Sequence, residues 1–215
     1  MQNSIPQTIN FVKLTLADAE AGHDWFHIER VYKTTLTINA TENGDELVVS
    51  LAALLHDIAD PKFNNGDEEI GPNKAEGFLN SINVDRAIVN HVKLIIQNMS
   101  FKNSFDLGAF TSKEMQIVQD ADRLDAIGAI GIARAFTYGG FKNRVLYDPS
   151  IAPVVEHSKE SYKNTTAPTI NHFYEKLLLL KDMMNTETGK AIALQRHQFM
   201  LGYLEQFYGE WEGKR

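Results

Sequence analysis

Three short segments of the sequence contain histidine, aspartate or both, the residue types that bind metal ions when no thiolate is present. The stretch 22–27 reads GHDWFH and supplies two imidazoles. His56 and Asp57 are adjacent and end an apolar run that begins at Leu51. The stretch 120–125 reads DADRLD and supplies three carboxylates. Together these segments predict a metal site with nitrogen and oxygen ligands.

The chemistry that such a site supports is hydrolysis of a phosphate ester or anhydride. A divalent transition metal lowers the pKa of a water molecule that it binds and polarises phosphoryl oxygens. Taken alone, His56 and Asp57 favour a structural role as a hydrogen-bonded pair, because buried polar groups need partners. A metal ion can be the partner of both residues, and the other two segments shift the interpretation towards a metal.

The spacing of the histidines leaves the first ligand open. His23 lies one helical turn before His27, so both rings share one face if the helix begins early enough. His91 follows an apolar helical pattern and is explained either as a core residue or as a contact to phosphate or a proton-transfer group. The remaining histidines, His157, His172 and His197, receive no assignment.

The carboxylates also offer alternatives. Asp120, Asp122 and Asp125 would leave a helix in different directions, so at most two of them can face one ion. Asp125 is a candidate for orienting a ligand or a water molecule, with an ion pair to Arg123 on the surface as the alternative. Asp60 is explained either by a position near the mouth of the site or by a turn.

The composition limits the class of protein. The chain of 215 residues has no cysteine, which excludes disulfides and thiolate metal sites. Its net charge of −7, from 21 basic and 28 acidic residues, argues against a nucleic-acid polymer as partner, because neutralising phosphates needs a basic surface. The longest apolar run, 51–55, is too short to cross a membrane, and residues 1–10 lack the features of a secretory signal. We therefore expect a cytoplasmic protein.

Apolar residues recur at helical spacing along most of the chain. Ile28, Val31, Thr35 and Ile38 follow this spacing, as does the stretch 84–99, and no sustained strand alternation occurs. We predict an all-α fold, one compact bundle of about eight or nine helices.

The predicted helices are interrupted by one long irregular segment, residues 138–167, which is rich in glycine, proline and other turn formers. We expect a single domain over residues 1–215, with its core at 20–137 and its terminal helices at 168–210. Long loops in compact enzymes often cover active sites, so we predict that the irregular segment covers the substrate.

The order of these motifs resembles the H…HD…D pattern of the HD-domain phosphohydrolase superfamily, and more narrowly the stand-alone bacterial YpgQ and YedJ group. An isolated histidine, a histidine-aspartate doublet after an apolar helix and an Ala-Asp-Arg-Leu element follow one another in that order. Nearly the whole chain fits one such protein. The similar stretches are Gly22–Val31, Leu51–Asp60, Val118–Arg134 and Tyr138–Pro149.

The resemblance implies a ligand set. The first histidine of the family falls on His27, the doublet on His56 and Asp57, and the final aspartate on Asp122. Members with two or more metals have further histidines between the doublet and the last aspartate, where this chain has only His91. The resemblance therefore implies one divalent ion, which could be manganese, magnesium, cobalt, nickel or iron.

The resemblance further implies a hydrolase that acts on small phosphorylated substrates, with nucleotides favoured. We expect cleavage of nucleoside triphosphates to a monophosphate and pyrophosphate, with a nucleoside monophosphate phosphatase as the alternative. A regulatory module that binds a nucleotide without hydrolysing it is disfavoured, because all four ligand positions are filled. A di-iron oxygenase would need more histidines. The oligomeric state stays open, a homodimer included.

The candidate residues beyond the ligands complete the prediction. Candidate catalytic groups are Asp57, His91 and Asp125, and His23 is a candidate for contact with the substrate. Two cations in the irregular segment are candidate contacts to the phosphates, since one divalent ion cannot neutralise a phosphate chain. These cations are Lys142 and Arg144.

Overall fold

The structure, a computed structural model, describes residues 3–17, 24–59, 67–99, 110–154 and 167–215. Within these ranges the chain forms nine α-helices and one 3-10 helix and contains no strand, which confirms the all-α prediction. The helices are α1 Ser4–Thr15, α2 Trp25–Glu42, α3 Glu46–Leu55, α4 Ile70–Ser81, α5 Arg86–Asn98, α6 Lys113–Asp125, α7 Gly128–Phe141, α8 Asn171–Glu175 and α9 Glu187–Trp211, with the 3-10 helix at Leu177–Met183.

The chain divides into two compact units, Met1–Asp122 and Arg123–Arg215. The prediction of one domain over residues 1–215 stays a prediction, as do the homodimer and the location in the cytoplasm. None of the helices in the described ranges is both long and apolar enough to pass through a membrane.

The core of the first unit is built around α3. Every residue of this helix from Val48 to Leu55 is buried. A helix that is apolar on all sides must be covered on all sides, and α1, α2 and α5 contact it. Asp45 caps the helix, because its carboxylate accepts hydrogen bonds from the amides of Leu47 at 2.9 Å and Val48 at 3.1 Å. The segment that ends in His56 and Asp57 is therefore fixed by its own burial.

Helix α2 begins and ends at residues that the sequence marks as boundaries. Asp24 caps its first turn by accepting a hydrogen bond from the amide of His27 at 3.0 Å. Asn43 ends it in the left-handed conformation, with φ of 56°. The side chain of Asn39 accepts a hydrogen bond from the amide of Gly44 at 2.8 Å and so closes the turn into α3. The two helices α2 and α3 are thereby held next to each other.

In the second unit, α7 extends further than the sequence suggests. The irregular segment predicted at 138–167 begins only after Phe141, because Gly139 lies within the helix. A side chain at Gly139 would overlap the hydroxyl of Thr169, so this glycine permits close packing rather than a break. Residues 142–154 follow as irregular chain, and 155–166 lie outside the described residues.

The described part of the irregular segment is bound to the residues around α8. The amide of Thr169 donates to the carbonyl of Val145 at 3.0 Å, and that of Ile170 to Leu146 at 3.1 Å. Further along, the side-chain amide of Asn171 donates to the Ile151 carbonyl at 3.0 Å. This stretch is therefore a fixed part of the second unit.

An aromatic cluster joins the terminal helices predicted at 168–210, which the structure contains as α8, the 3-10 helix and α9. Phe173 and Tyr203 stack with their ring centroids 5.9 Å apart. The centroid of Phe136 lies 6.0 Å from that of Phe173, and the centroid of Phe207 lies 6.1 Å from that of Tyr203. Aromatic pairs at such distances contribute beyond the area that they bury. The cluster therefore joins α7, α8 and α9 into one unit.

Replacing Leu54 with alanine should lower the free energy of unfolding by about 2–5 kcal/mol, because this fully buried side chain of α3 would leave a cavity. Replacing Leu14, which is 80% exposed, should change it by less than about 0.5 kcal/mol. Denaturant unfolding followed by circular dichroism measures both values. Equal effects of the two substitutions would contradict the placement of α3 in the core.

Candidate metal centre

Three side chains converge at the end of α3. His27, His56 and Asp57 each offer one ligand atom, and these atoms all lie within 4.8 Å of one another. Among the described residues this is the one group of histidine, cysteine or acidic side chains with a spacing suited to a metal ion. The ring centroids of the two histidines are 5.4 Å apart. His27 is only 2% exposed.

Asp122 reaches the same place from α6. Its Oδ1 lies 3.6 Å from Nε2 of His27 and 3.7 Å from Nε2 of His56. These separations are too long for good hydrogen bonds but leave room for an ion between the groups. The Asp122 side chain is 40% exposed, so one side of the group is open to solvent. The structure therefore brings the predicted ligands together.

The ring of His56 is held so that one nitrogen remains for a ligand. Its Nδ1 donates a hydrogen bond to the carbonyl of Ala53 at 2.8 Å. Its Nε2 is buried and has no hydrogen-bond partner among the described residues. Buried polar atoms without a partner are rare in proteins, and a histidine that binds a metal typically donates its other ring nitrogen to a carbonyl or carboxylate. Both properties of His56 fit a metal ligand.

The electrostatics around His56 favour a positive charge at this point. Burial lowers the pKa of His56, but Asp122, Asp57 and the Ala53 carbonyl more than compensate and raise it to about 9. The same two carboxylates stabilise a proton on the ring and would stabilise a divalent ion beside it. The site thus attracts cations although it lies against an apolar core.

The donor set fits a divalent transition metal. Two imidazole nitrogens and two carboxylates are ligands that such ions accept, and no thiolate is available in this chain. The donors come from the first turn of α2, the end of α3 and the last turns of α6, so the packing of three helices sets their positions.

Two residues that support the site were not singled out from the sequence. Asp24 fixes the first turn of α2 through the amide of His27. It could have been recognised, because an aspartate before a helix is a common cap. Ala53 orients His56 through its carbonyl, which is available because helix α3 ends there. No side-chain signal marks that carbonyl.

Several alternative ligands differ in their placement. His23 and Asp60 lie outside the described residues. Asp120 is fully buried, on the same helix as Asp122. Asp122 lies 3.6 Å and 3.7 Å from the two histidines, and its choice over Asp120 as the ligand stays a prediction.

Asp125 forms a buried ion pair. Its Oδ2 lies 2.5 Å from the guanidinium of Arg134, and the residue is 4% exposed. The alternative placed Asp125 on the surface, whereas the residue is buried and its carboxylate accepts a hydrogen bond from Arg134 of α7. A role of Asp125 in catalysis stays a prediction.

His91 is neither a fully buried core residue nor a member of the metal group. Its Nε2 lies 3.0 Å from the hydroxyl of Ser112 and 3.7 Å from a carboxylate oxygen of Glu114. Ser112 also accepts a hydrogen bond from the amide of Met115 and so caps α6. Because a helix rises about 1.5 Å per residue, Ser112 is about 15 Å from Asp122 along α6. This distance argues against proton transfer at the metal, and a contact of His91 with phosphate stays a prediction.

The two cations predicted to contact phosphates differ from each other. Lys142 is exposed, and its ammonium lies 5.1 Å from the ring centroid of Phe141. Arg144 is half-buried, and its guanidinium lies 5.6 Å from the ring centroid of Tyr138. Their contact with the phosphates of a substrate stays a prediction.

Comparisons with known proteins identify relatives of nearly the whole chain. The family model for the HD domain matches residues 25–127, which contain His27, His56, Asp57 and Asp122. YpgQ of Bacillus subtilis is 37% identical over 204 residues, which cover 93% of this chain and 90% of that protein.

Solved structures agree with the family match. An HD-superfamily hydrolase from Bacillus thuringiensis has a TM-score of 0.79 and 44% identity, with 98% of each chain covered. The structure of Bacillus subtilis YpgQ in complex with ADP has a TM-score of 0.76 and 35% identity, with 97% of this chain and 95% of that chain covered.

In protein from which metal has been removed, His56 should titrate near pH 9. Because its pKa in the folded state lies above the value of about 6.5 for an unfolded chain, the stability that it contributes is complete below pH 6.5 and is lost as the pH rises through 9. An NMR titration of the His56 ring measures the midpoint. Asp122→Asn should lower it, and a midpoint near 6.5 in both proteins would contradict this arrangement of charges.

Proposed function

Since the chain belongs to the HD-domain superfamily and is a metal-dependent phosphohydrolase, we propose that it hydrolyses nucleoside triphosphates to a monophosphate and pyrophosphate. The observation that supports a nucleotide most directly is the complex of YpgQ with ADP, a relative that matches this chain over nearly its full length. ADP has the base, the sugar and the phosphoanhydride of the proposed substrate.

We further propose that His27, His56, Asp57 and Asp122 hold one divalent ion. The support is the spacing of the first three ligand atoms, the position of Asp122 opposite both histidines and the buried Nε2 of His56. Two histidines and two carboxylates suit manganese, cobalt, nickel or iron, and magnesium with more water ligands. The two-histidine group favours a single ion over a pair.

The metal, when bound, would supply Lewis acidity towards phosphoryl oxygens and water. Residues of the chain favour metal binding at this site in two ways. Ala53 holds the ring of His56 with Nε2 towards the other donors, so no rotation of the ring is needed when a ligand binds. The carboxylates of Asp57 and Asp122 lower the free energy of a cation beside His56.

Asp57 is also our candidate for orienting the attacking water. It follows His56 directly, so fixing the His56 ring against α3 also fixes the backbone from which Asp57 extends. The residue is partly exposed, whereas His27 beside it is buried. A carboxylate that contacts both solvent and the histidines can accept a proton from water at the edge of the site.

Alanine in place of His27, His56, Asp57 or Asp122 should remove most of the metal and reduce turnover at least about a thousandfold, because these donors act as one set. Asp120→Asn is the matched control on the same helix and should keep its metal. Elemental analysis of the folded variants measures the ion. The ligand assignment is refuted if Asp120→Asn loses the metal while Asp122→Ala retains it.

Turnover of nucleoside triphosphates should stop after chelation and return with a transition metal, because the bound ion would activate the water and polarise the phosphoryl oxygens. Separate assays of pyrophosphate and phosphate identify the bond that is cleaved. Release of pyrophosphate from triphosphates would support the proposal. If the protein releases only phosphate, and only from monophosphates, the substrate is a nucleoside monophosphate and the proposed triphosphate substrate is wrong. Full activity in rigorously metal-free protein would refute the metal-dependent mechanism.

A further inference from the structure

Three basic side chains of the second unit lie close together where residues 142–154 meet α8. Arg144 directly precedes Val145, whose carbonyl accepts the amide of Thr169 at 3.0 Å. His172 follows in the first turn of α8, and Lys176 comes one turn later, with its amide bound to the His172 carbonyl at 3.1 Å. The fold therefore assembles these three residues from two separate stretches of chain.

The charges of both cations act on the histidine. Burial lowers the pKa of His172, and Lys176 and Arg144 lower it further, to about 4. The imidazole is therefore neutral at pH 7, and the positive potential around it comes from the guanidinium and the ammonium. A neutral imidazole beside two cations can still donate one hydrogen bond to an anion.

The stretch that includes Arg144 is held firmly, so its guanidinium has a defined position. The hydrogen bonds of Thr169 and Asn171 fix residues 145–151 against α8. The amide of Arg144 donates to the Gly139 carbonyl at 2.9 Å, and its guanidinium lies over the ring of Tyr138. A guanidinium held in this way loses less entropy when it binds an anion than a flexible one does.

We propose that Arg144, His172 and Lys176 form a binding site for a phosphate or diphosphate group. Arg144 would bind two oxygens through its planar guanidinium, Lys176 would add a point charge, and His172 would donate one hydrogen bond. Glu175, the acidic neighbour of Lys176, is buried and accepts a hydrogen bond from the amide of Val154 at 3.2 Å. The site lies wholly in the second unit, and it does not depend on the function proposed for the metal centre.

The test is a calorimetric titration of the full-length protein with pyrophosphate, after metal and chelator have been removed, so that no ion can hold the anion. The parent should bind it. Lys176→Ala and Arg144→Ala should each weaken binding at least about tenfold, which corresponds to about 1.4 kcal/mol. Lys176 is exposed, so its variant should fold normally.

The matched control is Lys190→Ala, which removes a cation of α9 that is paired with Glu187 at 2.7 Å. This variant should bind pyrophosphate like the parent. The NMR signal of the His172 ring should shift when pyrophosphate binds to the parent, a change that a purely structural role of the two cations would not produce. No binding to the parent, or equal affinities of the parent and both cluster variants, would overturn the proposal.

A kinetic experiment with the metal-loaded protein distinguishes two sources of the anion. If the site holds a phosphate of the substrate, Lys176→Ala should raise KM for the triphosphate and leave the metal content unchanged. If it holds free phosphate or pyrophosphate, the variant should keep its KM and lose inhibition by these anions. If the variant has the same KM and the same inhibition by phosphate and pyrophosphate as the parent, the site binds neither the substrate's phosphate nor the free anion.

Discussion

The burial of His56 at the end of an apolar helix is the constraint on which the metal centre depends. Helix α3 is covered on all sides, and its last turn places an imidazole next to the core with one ring nitrogen bound to Ala53. The other nitrogen makes no hydrogen bond to any residue that the structure describes. A buried nitrogen of this kind costs free energy unless something binds it, and the carboxylates of Asp57 and Asp122 determine that this must be a cation.

The protein is acidic overall, but its two units offer opposite local charges. Around His56 in the first unit, two carboxylates raise the pKa of the ring and favour a cation. Around His172 in the second unit, two cations lower the pKa of the ring and favour an anion. A net charge of −7 shows neither feature, because ligand binding depends on charges within a few ångströms. The first environment suits a metal ion, and the second suits a phosphate group.

Much of the fold and the metal centre could be predicted from the sequence, because both depend on local patterns. The apolar period of the helices, the cap at Asp24 and the order of His27, His56, Asp57 and Asp122 are all visible in the chain. Contacts between distant residues are not. In the sequence, Gly139 predicts a helix end, but the residue lies inside α7. The glycine is needed there because Thr169 packs against it. The pairing of Asp125 with Arg134 and the charges around His172 depend on tertiary packing in the same way.

The central claim is that one divalent ion binds between two histidines and two aspartates, and anomalous scattering tests it most directly. Crystals of the protein grown with manganese should give one strong peak at wavelengths where manganese scatters anomalously. The expected position of this peak is within bonding distance of His27, His56, Asp57 and Asp122. Two peaks, or a single peak bound to other residues, would contradict the mononuclear centre.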